Sequence, residues 1–386
     1  MKVGVANQRS ASESRVAMTP DQIKRLDRLG VEVLIERGAG EDAGSLDEDY
    51  AAAGATVLND APSVLGAADL VLTIQPPSIE QLDQMQQGAV VVGPLKLHEN
   101  PQVARRLIER RITALAFEFT PRISRAQSVD LLSAMSNIAG YKSVILAANH
   151  ARKMFPMMMT AAGTATPARV FVIGAGVAGL QAIATAKRLG AIVEAFDVRP
   201  AVKEQVESLG ARFVEFEVES REGAGGYAGE QSAEEQERQR KQMVEVVAGA
   251  DVVITTALIP GRPAPKLVDD EMVSRMRPGS VIVDLAAETG GNCTRTSPGE
   301  IIEENGVTII GLLNLPASLP VHASQMLARI NTTLLSWIVK DGSLTLNFDD
   351  EVIAGMTVVH DGAVRHERLA ESLGLTAVET SEGATA

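Results

Sequence analysis

Cysteine is almost missing from this chain: Cys293 is the only one in 386 residues. A single thiol excludes an internal disulfide framework and a thiolate metal cluster, and it suits a reducing compartment. Aromatic residues make up 3% of the chain, so the cores must be aliphatic and little is left for stacking bases. A basic excess is missing too. Lys and Arg number 36 against 49 Asp and Glu, for a formal net charge of −13, which excludes a general nucleic-acid backbone binder. No uninterrupted apolar run approaches the ~18–20 residues that cross a bilayer; the longest, at 69–74 and 89–93, are strand-sized. His98, His150, His322, His360 and His366 form no metal-ligand spacing, and no metal is expected. The opening Met1-Lys-Val-Gly-Val-Ala6 reads as a first strand rather than an export signal. The expected location is the cytoplasm, with any membrane association made through a partner.

What is present is a regular alternation. Short apolar runs are followed by amphipathic stretches ending in Gly, the pattern of βα units around parallel sheets. Thr19 and Pro20 read as the N-cap and first residue of a helix that stops at Gly30. Strands are predicted at 2–6, 31–35, 69–74, 89–92 and 112–117, with a helix at 101–110. A long helical period over 128–153 leads into a second βα series from 169 to about 313. A second long helix, 322–339, returns the chain to the first region, and short strands are expected at 344–348 and 356–360. The predicted fold class is α/β, with two Rossmann-like doubly wound domains joined by long helices and a cofactor cleft between them. One domain comprises 1–130 plus 322–386 and is substrate-domain-like; the other, 131–321, binds a dinucleotide. The Gly-rich stretch within 219–231 is a candidate mobile flap.

Gly174-Ala-Gly-Val-Ala-Gly179 is a G-x-G-x-x-G whose surroundings are complete. The strand pattern Arg169-Val-Phe-Val-Ile173 runs into it, an apolar-striped helix to Leu189 follows, and a second strand delivers Asp197 at the spacing of a ribose-binding acid. Gly174 permits the tight turn, Gly176 lets backbone approach a pyrophosphate, and Gly179 lets helix and strand pack closely. A carboxylate at Asp197 accepts ribose hydroxyls and repels a 2′-phosphate, which selects NAD. Arg199 could instead pair with a 2′-phosphate, but Asp197 comes first and should dominate. The segment after the strand over 251–256, including Leu258, should line the nicotinamide end.

Four blocks resemble the alanine dehydrogenase and transhydrogenase superfamily: Glu13-Ser-Arg-Val-Ala-Met-Thr-Pro20, the G-x-G-x-x-G unit, Thr256-Ala-Leu-Ile-Pro-Gly261 and Pro278-Gly-Ser-Val-Ile-Val-Asp-Leu-Ala286. Within it, five more blocks resemble the NAD(H)-binding subunits of proton-translocating NAD(P) transhydrogenases. These are Pro121-Arg-Ile-Ser-Arg-Ala-Gln-Ser-Val-Asp130, Phe155-Pro-Met-Met-Met-Thr-Ala-Ala-Gly-Thr164, the helix segment 180–190, Lys203-Glu-Gln-Val-Glu-Ser-Leu-Gly210 and Gly225-Gly-Tyr-Ala228. The similarity spans about 2–362.

The resemblance implies direct hydride transfer between NAD(H) held here and NADP(H) on a partner subunit, coupled to proton translocation by membrane-spanning subunits. It also implies a peripheral position at the inner membrane. By the same resemblance Arg122, Gln127 and Asp130 are the catalytic loop residues, with an Arg122–Asp130 ion pair holding the loop and Gln127 reaching the dihydronicotinamide. Ile123, Ser124 and Arg125 of that loop, Ser133, Val177, Asp197, Val198, Arg199, Gly226, Tyr227, Gln242 and Leu258 are implied as cofactor contacts. Tyr227 lies on the flap, and between it and Gln242 the chain is a few residues longer than the family pattern. Met157-Met-Met159 is implied to sit in a hairpin packed on a second subunit, giving a symmetric homodimer.

Transfer between two nicotinamides creates no alkoxide and needs no general acid, so positioning suffices. A dehydrogenase of a small amino or hydroxy acid needs an acid–base group and a cation for the carboxylate. In alanine dehydrogenases a Lys and a His fill these roles, and Gln75 and Pro94 stand where they would fall. An alanine-like dehydrogenase with an unfamiliar acid–base group is the second reading, and a non-catalytic NAD(H)-sensing module the third. The first reading predicts that the purified chain binds NADH and protects it thermally, yet does not oxidise alanine. Alanine-dependent NADH formation by the chain alone, followed at the NADH absorbance band, would reject it.

Overall fold

The short apolar runs of the first third of the chain become six parallel strands. In the computed structural model, which describes residues 1–216, 233–259 and 262–378, they lie in the order Thr56–Leu58, Glu32–Glu36, Lys2–Val5, Leu70–Leu72, Val90–Gly93 and Thr113–Ala116. Numbered along the chain this is 3-2-1-4-5-6, the doubly wound nucleotide-binding order. Thr357–His360 then pairs antiparallel with Thr113–Ala116, and Ala363–Val364 closes that edge. The central strands are buried along their whole length, as continuous apolar runs in a sheet covered on both faces require. The core of this unit gathers Leu82, Val91, Leu95, Leu97, Leu107 and Val358.

A second sheet carries Arg212–Phe213, Ile192–Phe196, Arg169–Ile173, Val252–Thr255, Val281–Asp284, Val307–Ile310 and Ile301–Glu304, in that order. All pairs are parallel except the last. The strand order reverses between Arg169–Ile173 and Val252–Thr255, so the crevice for a ligand falls at the carboxyl ends of these two strands. Val170, Val172 and Ile254 pack on one face of the sheet, and Phe171, Ile173 and Val253 on the other. The chain thus divides into Met1–Ala134 with Ala317–Ala386, and Met135–Pro316. The crossings fall a few residues inside the expected 130/131 and 321/322.

Several local expectations change. Thr19 occupies the N-cap of the helix Pro20–Asp27, but its hydroxyl donates to Asp21 Oδ1 at 2.6 Å instead of capping a backbone amide. A carboxylate two residues away is the stronger acceptor. The strand expected over 344–348 shrinks to Ser343–Leu344, paired with Val339–Lys340. The helix Leu131–His150 is, by length and composition, apolar enough to span a bilayer, with a mean hydropathy of 1.2. The expectation that nothing approached this length overlooked it, because Asn137 and Lys142 interrupt the apolar run. Val144 and Ala147 on this helix are fully buried in the second unit's core. The flap 219–231 and the tail 380–386 lie outside the described residues.

The same helix contains a glycine that a helix would not choose for itself. A Cβ on Gly140 would stand 2.2 Å from the backbone oxygen of Ala178, in the first turn of the helix Val177–Arg188. Alanine is better than glycine by ~1 kcal/mol in an exposed helix, so propensity alone favours Gly140→Ala. The clash is with backbone, which cannot rotate aside, and overpacking costs ~1–3 kcal/mol. Gly140→Ala is therefore expected to lower stability, read as a lower urea midpoint. A raised midpoint would show that the two helices separate at no cost.

Candidate nucleotide site

The turn after Arg169–Ile173 is built by exclusion of side chains. Gly174 has φ +96°, and a Cβ there would meet Thr256 Oγ1 at 2.5 Å. A Cβ on Gly179 would sit 1.9 Å from the Gly174 carbonyl oxygen. Thr256 Oγ1 donates to that same carbonyl at 3.0 Å, tying the neighbouring strand's end to the turn. Gly176 differs: a Cβ there meets nothing within 4 Å. It occupies the N-cap of Val177–Arg188 with no side-chain cap, so the positive end of the helix faces open space that a bulky anion fits.

Asp197 stands at the end of the adjacent strand and is buried. Its Oδ2 accepts the Ala175 amide at 2.7 Å and Arg199 Nη2 at 2.9 Å; its Oδ1 accepts the Arg199 amide and Nε, both at 2.9 Å. Burial pushes the carboxyl up, but the Arg199 guanidinium and the two amides outweigh it and hold its pKa below the usual carboxylate value. Val198 is half-buried against the core. Val177 and Leu258 are exposed, at 39% and 47%, and Gln242 is exposed on Ala233–Gly249. Gly226 and Tyr227 lie outside the described residues, as do Pro260 and Gly261.

Sequence reasoning missed the group that shapes the loop after Val252–Thr255. The fully buried Asn292 side chain accepts the Ala257 amide at 3.0 Å and donates to the carbonyls of Ala257 and Pro265 at 2.9 Å each. One amide thus acts as a short stretch of neighbouring strand. Buried Asp284 collects Thr255 and Thr296 hydroxyls and the amides of Ala286 and Cys293. Cys293 is wholly buried, and burial pushes its thiol up to about 11. A turn-forming Gly-Gly-Asn is visible in the sequence, but the partners of Asn292 are not.

In the first unit the loop over 121–130 is pinned by buried Ala126 and Val129 and presents Arg122, Ile123, Ser124, Arg125 and Gln127 outward. Arg125 reaches Asp350 at 2.5 Å, with its guanidinium 4.8 Å from the Trp337 ring centre. Asp350 also caps the helix Glu351–Met356, so the loop is fastened to the C-terminal segment. Asp130 caps the long helix by accepting the Ser133 amide at 2.9 Å and the Ser133 hydroxyl at 2.6 Å. Elsewhere in this unit, Arg15 is 9% exposed and gripped by Glu13, Nε to Oε1 at 2.7 Å and Nη2 to Oε2 at 2.6 Å. Gln75 Nε2 donates to the same Oε2 at 2.6 Å. Burial raises the Glu13 carboxyl, and Arg15 with Gln75 more than offsets this, for a net lowering.

Against this geometry, residues 4–139 match the family model described as alanine dehydrogenase/PNT, N-terminal domain, and 143–367 match alanine dehydrogenase/PNT, C-terminal domain. The chain is 46% identical over 379 residues to a chain of the NAD(P) transhydrogenase alpha subunit of Rhodospirillum rubrum, covering 96% of this chain and 99% of the relative. A solved transhydrogenase from Sinorhizobium meliloti superimposes with a TM-score of 0.84 at 41% identity, over 95% of this chain and 100% of that one. A solved L-alanine dehydrogenase gives 0.82 at 28% identity, over 97% and 99%. The folds are nearly indistinguishable; the identities are not.

Trp337 is the sole tryptophan and therefore reports on the loop through Arg125. Arg125→Ala is expected to change Trp337 emission and raise its quenching by acrylamide, while lowering stability by less than ~1 kcal/mol, since the pair is partly exposed. Unchanged emission and quenching would mean that Arg125 does not rest on the ring in solution.

Proposed function

The chain belongs to the alanine dehydrogenase/PNT family, and from that premise we propose that it is the NAD(H)-binding subunit of a proton-translocating transhydrogenase. Bound NADH supplies a hydride to an oxidised nicotinamide on an NADP(H)-binding partner, and membrane-spanning partners couple this to proton passage. The observation that carries the reading is the state of Arg15. A dehydrogenase of a small acid needs a cation for the substrate carboxylate, and here that cation is buried against Glu13, with neutral Gln75 completing the cluster. Pro94 offers no proton to move. The 46% identity to a transhydrogenase subunit, against 28% to an alanine dehydrogenase, points the same way.

Each residue's work follows from its surroundings. Gly174, Gly176 and Gly179 shape a side-chain-free turn, and the amides opening Val177–Arg188 face the pyrophosphate. Asp197 takes the adenosine ribose and repels a 2′-phosphate, which supports NAD(H) as this subunit's nucleotide. Val177, Val198 and Leu258 give apolar contact; Gln242, Gly226 and Tyr227 are further contacts. Arg122 and Asp130 set the loop, Ser133 and the Ile123–Arg125 stretch lie beside it, and Gln127 meets the dihydronicotinamide. None of these side chains gains or loses a proton, because holding two rings within ~3–3.5 Å is the whole catalytic task. Met158 and Met159 on the hairpin Met158–Thr160 and Gly163–Ala165, with Met157 just before it, are 46%, 74% and 59% exposed and suit a homodimer contact. The chain then sits at the inner membrane through its partners.

The test is reconstitution with an NADP(H)-binding transhydrogenase subunit. The wild-type chain is expected to reduce a nicotinamide analogue only in the mixture. Gln127→Asn should slow single-turnover transfer by ~10-fold or more, because small misplacements of reacting groups cost up to ~100-fold, while the NADH dissociation constant changes little. An unchanged transfer rate removes Gln127 from the transfer site. Binding of NADH with no transfer in any mixture leaves a sensing module.

A further inference from the structure

Asp197 has no acceptor position to spare. A carboxylate offers about four lone-pair sites, and all four are filled from within the chain, two by backbone amides and two by one edge of the Arg199 guanidinium. That edge, Nε and Nη2 side by side at 2.9 Å, presents two parallel donors to the two oxygens. A vicinal ribose diol presents the same pair. The guanidinium and the diol therefore compete for one face of one carboxylate.

We propose that Arg199 is a built-in occupant of the ribose-binding carboxylate: it leaves when NAD(H) binds, and until then Asp197 withholds it from a 2′-phosphate. The inference rests on the reading of this unit as the NAD(H) site. Three features make the exchange cheap and local. The Arg199 side chain is 23% exposed, against 6% for Asp197, so the cation swings toward water while the anion stays. The amides of Ala175 and Arg199 remain on the carboxylate after the swing, so the turn keeps its shape. The two guanidinium bonds given up are replaced by two ribose hydroxyl bonds to the same oxygens, so the buried carboxylate is not left unpaired. On this reading an arginine beside the acid need not admit NADP(H): its Nε–Nη2 edge, the one suited to a 2′-phosphate, is held by Asp197, and an arriving 2′-phosphate meets the Asp197 charge first.

Calorimetric titration of the full chain with NADH and with NADPH separates the possibilities. Arg199→Ala should tighten NADH by roughly three- to fivefold, the equivalent of a partly exposed pair, with NADPH still unbound. Asp197→Asn should weaken NADH and confer NADPH binding, because the guanidinium is released and the repelling charge is gone. The double variant Asp197→Asn with Arg199→Ala should lose that NADPH binding again. Weaker NADH binding by Arg199→Ala would make Arg199 a direct contact and overturn the proposal. So would an Asp197→Asn protein with wild-type circular dichroism that gains nothing for NADPH. If Asp197→Asn does not fold, the sign of the Arg199→Ala effect decides alone. Wild-type protein that binds no NADH overturns the NAD(H) reading itself, and this inference with it.

Discussion

Three backbone segments approach one another more closely in the second unit than any side chain would allow, and the site depends on that approach. Gly140 lets the long helix meet the first turn of Val177–Arg188, and Gly179 lets that turn meet the Gly174 carbonyl. Helix, helix and strand end are thereby stacked without an intervening Cβ. The consequence is directional: the axis of Val177–Arg188 is fixed relative to the sheet, and its amides point out over the strand ends at the switch point. Thr256 and Asn292 lock the neighbouring strand end with side-chain bonds to backbone. What faces the crevice there is backbone held in place by sterics, which no single side chain supplies.

The sequence made much of this legible, because the features that placed it are local. A parallel strand buried on both faces is a continuous apolar run, and Arg169–Ile173 coincides with the expected segment. The glycine spacing and the acid after the next strand identify the turn from neighbours a few residues apart. What stayed hidden depends on partners distant in sequence. Asn292 meets Ala257 and Pro265, 35 and 27 residues away, and nothing in Gly290-Gly-Asn292 names them. Gly140 left a signal that went unused: a glycine in mid-helix carries a cost, and a cost usually has a packing reason. Thr19 shows the opposite failure, where a sound capping rule lost to a carboxylate two residues on.

The first unit shares the 3-2-1-4-5 order of its first five strands with the second, yet the rim of its sheet is chemically closed. Gln8 accepts from the Thr73 hydroxyl and the Ile74 amide and donates to the Gln75 carbonyl. Gln75 donates onward to Glu13, which grips Arg15. Glu118, its carboxyl raised by burial, accepts the amides of Leu95 and Lys96 just after Pro94. Amides and paired charges thus fill the rim where a doubly wound fold usually receives a ligand. Two units that share this five-strand order present opposite surfaces, one open at a side-chain-free turn and one lined by polar side chains that bond one another. Strand order alone would have assigned a ligand to both; the side chains at the strand ends separate them.

On the proposed function the chain hands on a hydride and must also exchange its nucleotide at every turnover, which places a limit on useful affinity. Binding energy spent equally on ground state and transition state lowers KM without raising kcat. The adenosine ribose is remote from the atom transferred, so contacts there belong to that uniform class. On the proposed reading Asp197 is nevertheless needed, because its charge turns away a 2′-phosphate. Deleting the acid would lower affinity and lose selectivity together. Covering it with Arg199 separates the two: part of the ribose affinity is surrendered to the displaced guanidinium, while the negative charge remains to discriminate. On that reading alignment of the reacting ring falls to other residues, in the loop over 121–130, which Ala126, Val129 and the Arg125–Asp350 pair anchor. Alignment then rests, on the same reading, on groups apart from those that set selectivity and affinity.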